Sequence, residues 1–171
     1  MNILLLGMPG SGKTKIGKLL AKKLQRKFID VDEFIFKKTG KDSAEHLAEL
    51  GDAEFLKFEA GLVKKIKMTD AVIAASGSVP LVAEGIEHLK KNAFVIWIKP
   101  SLEIIEKRVR GRSDGTSRIV GAQTKSLQEI WQWREKTYQS HHHAILEIEK
   151  ETPAEEVAKR VLEILEKNSV T

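Results

Sequence analysis

Gly7-Met-Pro-Gly-Ser-Gly-Lys-Thr14 stands between Asn2-Ile-Leu-Leu-Leu6, an apolar run of strand length, and a segment whose apolar residues recur at helical spacing. A G-x-x-x-x-G-K-[ST] motif in that context reads as a phosphate-binding P-loop. Gly7, Gly10 and Gly12 allow a tight turn that brings backbone N–H groups against phosphate oxygens. The helix opening near Gly12 adds the partial positive charge of its free N–H groups. Lys13 is placed to reach the β- and γ-phosphates, and the Thr14 hydroxyl to ligate Mg²⁺. Gly10, Ser11, Gly12, Lys13, Thr14 and Lys15 are the expected nucleotide-binding residues, and the chain is expected to bind a nucleoside triphosphate.

Outward from this motif the composition sets bounds. At 171 residues the chain is long enough for a full core and is read as one domain over 1–171. Its hydrophobic fraction of 42% excludes a disordered class. The apolar start leads directly into the P-loop and is too short for a signal peptide or a membrane span. With no cysteine there are no disulfides, thiolate metal sites or thiol nucleophiles. A cytoplasmic monomer is the expectation. The net charge of +5 comes from 29 Lys/Arg and 24 Asp/Glu, interspersed as on a solvated surface. A modest basic excess suits polyanionic ligands. No nucleic-acid module is visible, so the expected partner is a small hydroxylated molecule, with no nucleic acid and no membrane.

Ile16, Leu19, Leu20 and Leu24 give a first helix, and Lys27–Asp30 a second strand with Asp30 and Asp32 at its carboxyl end. A helix to Lys38 breaks at Thr39-Gly40. Ser43–Leu50 reads as a short helix ended by Gly51, and Asp52 as the N-cap of a longer one carrying Phe55, Phe58, Leu62, Val63 and Ile66. Ala71–Ala75 is a buried strand. Pro80 fits the start of a helix to Lys90. Ala93–Ile98 is a strand stopped by Lys99-Pro100, and Ser101 caps a helix through Arg110. Residues 111–124 have no periodicity, as expected of a functional or disordered loop. Ser126 to Glu129 and Thr152 to Glu155 read as capping boxes, with Ala144–Ile148 a strand between their helices. Alternating helices and short apolar strands mean an α/β fold with a five-stranded parallel sheet covered on both faces.

Several residues suggest chemistry. Beside a P-loop, one of Asp30 and Asp32 can hold the Mg²⁺ shell while the other accepts or orients an acceptor hydroxyl. Arg110, Arg112 and Arg118, in or beside the long loop, can stabilise charge on the γ-oxygens. Arg134 and Tyr138 share one side of a helix, where they can face a substrate. His141-His-His143 points three ways and is assigned to a helix C-terminus. Of Trp131 and Trp133, one is expected in the core and the other beside the site.

Taken in order, Gly7–Thr14, Phe28-Ile-Asp-Val-Asp32, Lys38-Thr-Gly40, Gly51-Asp-Ala-Glu-Phe55 with Glu59, and Arg134-x-x-x-Tyr138 resemble the shikimate kinases over essentially the whole chain. The resemblance implies a three-layer P-loop NTPase fold with sheet order 2-3-1-4-5 and a lid at about 111–124. It implies ATP and Mg²⁺, with Thr14 and Asp30 on the metal and Asp32 at the acceptor hydroxyl. It makes Arg118 the lid arginine, Arg110 the adenine-packing arginine and Arg134 a carboxylate grip. Lys13, Asp32 and Arg118 are then the catalytic set, and Asp32, Gly77 and Arg134 the acceptor contacts.

The departures lie on the acceptor side. The family's second carboxylate-binding arginine is Leu56 here, and Lys57 beside it points about 100° away on a helix. Three expected glycines read Ala75-Ser76-Gly77, and the lid's Arg-Pro-Leu-Leu reads Arg118-Ile-Val-Gly. Losing one charge-assisted contact costs about 1.5–3 kcal/mol of binding. The leading reading is an ATP-dependent kinase of shikimate-kinase type acting on an anionic hydroxylated metabolite. A divergent shikimate kinase and an ATP-binding regulatory module are the alternatives.

Overall fold

A computed structural model describes residues 1–170. Five parallel strands form one sheet: β1 (Asn2–Leu6), β2 (Lys27–Asp30), β3 (Ala71–Ala74), β4 (Ala93–Pro100) and β5 (Ala144–Ile148), in the order β2-β3-β1-β4-β5. The expected sheet order is therefore the observed one. Every residue of β1 is buried, because both sheet faces are covered. Successive side chains alternate. Ile3 and Leu5 enter one core with residues of α1 (Lys13–Leu24) and α7 (Ala154–Lys167). Leu4 and Leu6 enter the other with α2 (Val31–Thr39), α3 (Ser43–Val63) and α4 (Ala83–Lys90). Helices α5 (Leu102–Arg110) and α6 (Leu127–Tyr138) flank the loop between them.

Local expectations meet mixed outcomes. Ser101 caps α5 through Ile104 N–H, and Ser126 with Glu129 forms the capping box of α6. Thr152 does not cap α7, since its hydroxyl donates to the Lys150 carbonyl at 2.8 Å and Pro153 occupies the N-cap. The two helices expected around Gly51 are one helical run kinked there, with Gly51 at φ 72° and ψ 170°. Asp52 turns its carboxylate to the Gly121 N–H at 3.0 Å, and the cap that opens α3 is Asp42. The helix expected from Pro80 is a short 3-10 turn, Val79–Leu81, followed by extended Val82 and then α4. Strand β4 runs through Pro100, because pairing with β5 continues past the end of β1.

The histidines also divide. His142 Nδ1 lies 3.2 Å from the Tyr138 carbonyl at the end of α6, as a helix C-terminus suggests. His143 instead joins the sheet: its N–H donates to Val95 O and its Nδ1 accepts the Val95 N–H, both at 2.9 Å. Among the described residues no helix is long and apolar enough to cross a membrane.

Candidate active site

The carboxyl ends of β1, β2 and β3 open into a cavity of about 900 Å³, where parallel strands carry ligands. The P-loop forms its floor. Gly7 has φ 154°, and a Cβ there would lie 2.6 Å from the Ile98 carbonyl oxygen, so the turn requires glycine. Lys13 folds over this loop and donates to Gly7 O at 2.7 Å, Met8 O at 2.9 Å and Ser11 Oγ at 3.1 Å. Burial lowers its pKa to about 8, against the pull of Asp32 and Asp30. Its ammonium is held at the loop carbonyls, where a polyanion would compete for it.

Thr14 Oγ1 donates to Asp30 Oδ2 at 2.6 Å, bringing the two expected metal ligands together. Asp30 is also the N-cap of α2, its Oδ1 accepting Glu33 N–H at 3.2 Å. A hydroxyl and a carboxylate are hard oxygen donors that suit Mg²⁺, which keeps its other positions for water and phosphate. Asp32 accepts from Ser43 Oγ at 2.9 Å, and burial first, then the charge of Asp30, raises its pKa. Ser43 is a site residue that sequence reasoning missed. It has no motif and reaches Asp32 only through the start of α3.

The arginines sort by geometry. Arg118 lines the cavity with Nη2 2.9 Å from Asp42 Oδ2. Its Nε lies 2.6 Å from Asp114 Oδ2 but without a formed hydrogen bond, so that contact is coulombic. Arg112 also lines the cavity and holds Asp114 through two bonds, at 2.7 and 2.8 Å. Arg110 is not brought to the cavity: its side chain is 81% exposed and 3.7 Å from Glu106. The arginine that reaches the P-loop is Arg108, donating to Gly10 O at 3.0 Å and paired with Glu151 at 2.6 Å. Two helical residues apart means about 200° around the axis. Arg108 follows buried Ile104 by four residues, a signal that places it on the inner side. Lys15 lines the cavity and lies 3.9 Å from Glu155.

On the cavity wall expected to meet the acceptor, Arg134 is only 1% exposed. Its Nη2 donates to Val120 O at 3.2 Å, while Nε and Nη1 have no partner among the described residues. Tyr138, one turn on, is committed to the Gly77 carbonyl through its hydroxyl. A Cβ on Gly77 would lie 2.6 Å from Arg134 Nη1 and 2.6 Å from Pro9 Cδ, so glycine lets the guanidinium reach the cavity wall. Glu59 accepts from Ser76 Oγ at 2.5 Å and Ser78 Oγ at 2.9 Å, and burial pushes its carboxyl up to about 7. Leu56 packs on Leu47, Phe55 and Val120, while Lys57 is on the surface with Glu54. Neither tryptophan lines the cavity. Trp131 packs beside Trp97 and Tyr138, and Trp133 beside Phe55 and Val120.

A P-loop, a carboxylate pair and a buried arginine around one cavity agree with the comparison to known families: the family model for shikimate kinase matches residues 9–166. This chain belongs to the shikimate kinase family. A shikimate kinase of Thermodesulfovibrio yellowstonii is 34% identical over 169 residues, covering 98% of this chain and 96% of that protein. A solved shikimate kinase from Aquifex aeolicus superposes with a TM-score of 0.80 at 27% identity, covering 99% of each chain. Threonine synthase-like 1 of Mus musculus is 37% identical over 169 residues and 97% of this chain. The chain spans 22% of the length of that relative. Of the positions that set this chain apart in sequence, Ala75 and Ser76 line the cavity, whereas Leu56 packs away from it against Leu47, Phe55 and Val120.

Proposed function

We propose that this shikimate kinase family member transfers the γ-phosphate of ATP to a hydroxyl of a small anionic metabolite other than shikimate. The observation that carries the reading is the meeting of Lys13, Thr14, Asp30, Asp32 and Arg134 around one cavity. ATP would lie with its phosphates in the P-loop, displacing Lys13 Nζ from the loop carbonyls toward phosphate oxygens. Thr14 and Asp30 would hold Mg²⁺, which when bound neutralises charge on the β- and γ-oxygens. Asp32, raised above the ordinary carboxylate range, is suited to accept the proton as the acceptor oxygen bonds to phosphorus and ADP departs. Arg118 and Arg112, which line the same cavity, would balance charge on the transferring group. Arg134 grips the acceptor's anion.

A divergent shikimate kinase is the second reading, favoured by the relative in Thermodesulfovibrio yellowstonii. Leu56 weighs against it, because a second charged grip on the carboxylate is gone. Saturation by shikimate between micromolar and low-millimolar concentration would favour the second reading. The kinase reading itself is tested by Asp32→Asn, which keeps the shape and the Ser43 contact. It is expected to bind ATP as before and lose about 10²–10⁴ in turnover. Unchanged turnover would remove Asp32 from the chemistry.

A further inference from the structure

The acceptor end carries two opposite demands side by side. Among the described residues, Arg134 Nε and Nη1 are buried donors without partners, and a guanidinium has donors only. Glu59 is 1% exposed, and Ser76 and Ser78, which form part of the cavity wall, both donate to its Oε1. A hydroxyl has one proton and two lone pairs. With both protons given to Glu59, the two serine oxygens can only accept. This part of the wall therefore offers acceptors backed by a desolvated carboxylate, while its neighbour offers unsatisfied cationic donors.

The two poles are adjacent. Ser76 and Ser78 flank Gly77, and Gly77 is the residue that lies against Arg134 Nη1. Among the described residues, no cation besides Arg134 acts on Glu59. The aliphatic Leu56 is packed on Leu47 and Phe55, and Lys57 pairs outside with Glu54. Arg134 acts on Glu59 through space, yet burial still dominates and keeps the carboxyl well above its usual range. A ligand with an anion and a cation on neighbouring carbons would answer both demands.

Resting on the kinase reading above, we propose that the acceptor is a hydroxylated α-amino acid, its carboxylate on Arg134, its ammonium on the Ser76 and Ser78 oxygens in front of Glu59, and its side-chain hydroxyl toward Asp32. In the reaction the hydroxyl oxygen bonds to the γ-phosphorus and the bond to the β–γ bridging oxygen breaks. ADP leaves with that electron pair, and the hydroxyl proton passes to Asp32.

The test is steady-state kinetics with ATP and Mg²⁺ on matched acceptors: serine, threonine and homoserine, each beside the hydroxy acid that lacks its amine, with shikimate alongside. At least one amino acid is expected to exceed its amine-free counterpart tenfold or more in kcat/KM, the size of a charge-assisted contact. Glu59→Gln and, separately, Ser78→Ala are expected to reduce that ratio mainly through KM of the amino acid, with KM for ATP unchanged. Melting curves and ATP titration establish that each variant is folded. Preference for the amine-free acids, or a ratio unaltered in both folded variants, overturns the proposal and leaves the kinase reading standing, whereas preference for shikimate overturns the proposal in favour of the divergent shikimate kinase. Absence of phosphotransfer to any of these alcohols while ATP binds overturns both.

Discussion

Glu59 holds its carboxyl away from water with only two serine hydroxyls to satisfy it, and that has a consequence for the folded protein as well as for ligands. Its carboxyl lies near 4.5 when solvated and near 7 in the fold. Between those values the folded state binds the extra proton, so the stability Glu59 contributes is present below about pH 4.5 and lost as pH rises through 7. The full loss is about 3 kcal/mol. Glu59→Gln keeps both serine bonds but cannot ionise. The variant is expected to gain on the wild type by about 5–10 °C in Tm between pH 4.5 and pH 8, read by thermal melts across that range. Parallel profiles would mean that Glu59 titrates normally. Lys13 works in the opposite direction, since its folded pKa is depressed to about 8, so stability tied to it rises with pH only above that point. At this scale the sequence was legible where chemistry is contiguous. Lys13 and Thr14 sit in one motif, and Asp30 and Asp32 end one strand. Ser43 with Asp32, and Ser76 with Glu59, meet across 11 and 17 residues of chain, and no local pattern announces them.

Among the elements, α1 shows how a packing requirement overrides a helix preference. Gly17 is buried on its inner face, and a Cβ there would lie 2.5 Å from Phe28 Cε2 on β2. Alanine favours a helix interior over glycine by about 1 kcal/mol. Phe28 is partly buried and packs against the core between α1 and the sheet, so overpacking of about 1–3 kcal/mol is expected to win. Gly17→Ala is expected to lower the urea midpoint with the slope unchanged, and a raised midpoint would show that Phe28 yields freely. The same competition decides which elements were readable. Strand positions and the 2-3-1-4-5 order followed from apolar runs and the family resemblance, because an enclosed parallel sheet leaves no alternative for those residues. Caps were less secure. Ser126 and Glu129 close their box, whereas Thr152 bonds back to Lys150 and Asp52 is drawn away by Gly121. Arg110 and Arg108 differ by two residues, and only the inner face of α5, with Ile104, Ile105 and Val109 buried, decides between them.

For the molecule as a whole, residues 111–124, the proposed lid, share contacts with the cavity wall that carries Arg134. Residues 111–124 contain successive turns, and Ile119 and Val120 are buried beneath them. Val120 packs with Leu47 and Phe55 of α3, and its carbonyl accepts from Arg134. One residue on, Gly121 donates to Asp52 at the kink of α3, so this carboxylate ties residues 111–124 to α3 beside the Val120 carbonyl that holds Arg134. A charge-assisted bond of this kind contributes about 1.5–3 kcal/mol, enough to set how often the segment opens. Asp52→Ala should therefore speed amide exchange of Gly121 and its neighbours about ten- to a hundredfold while β1 and β4 exchange as before. The loosened Val120 carbonyl should raise KM for the acceptor more than KM for ATP, because the P-loop end does not touch this contact. Exchange measured residue by residue and kinetics on the same variant read the two effects together. Faster lid exchange with an unaltered acceptor KM would separate lid from grip, and unchanged exchange would show that the buried side chains of Ile119 and Val120 hold the segment without Asp52.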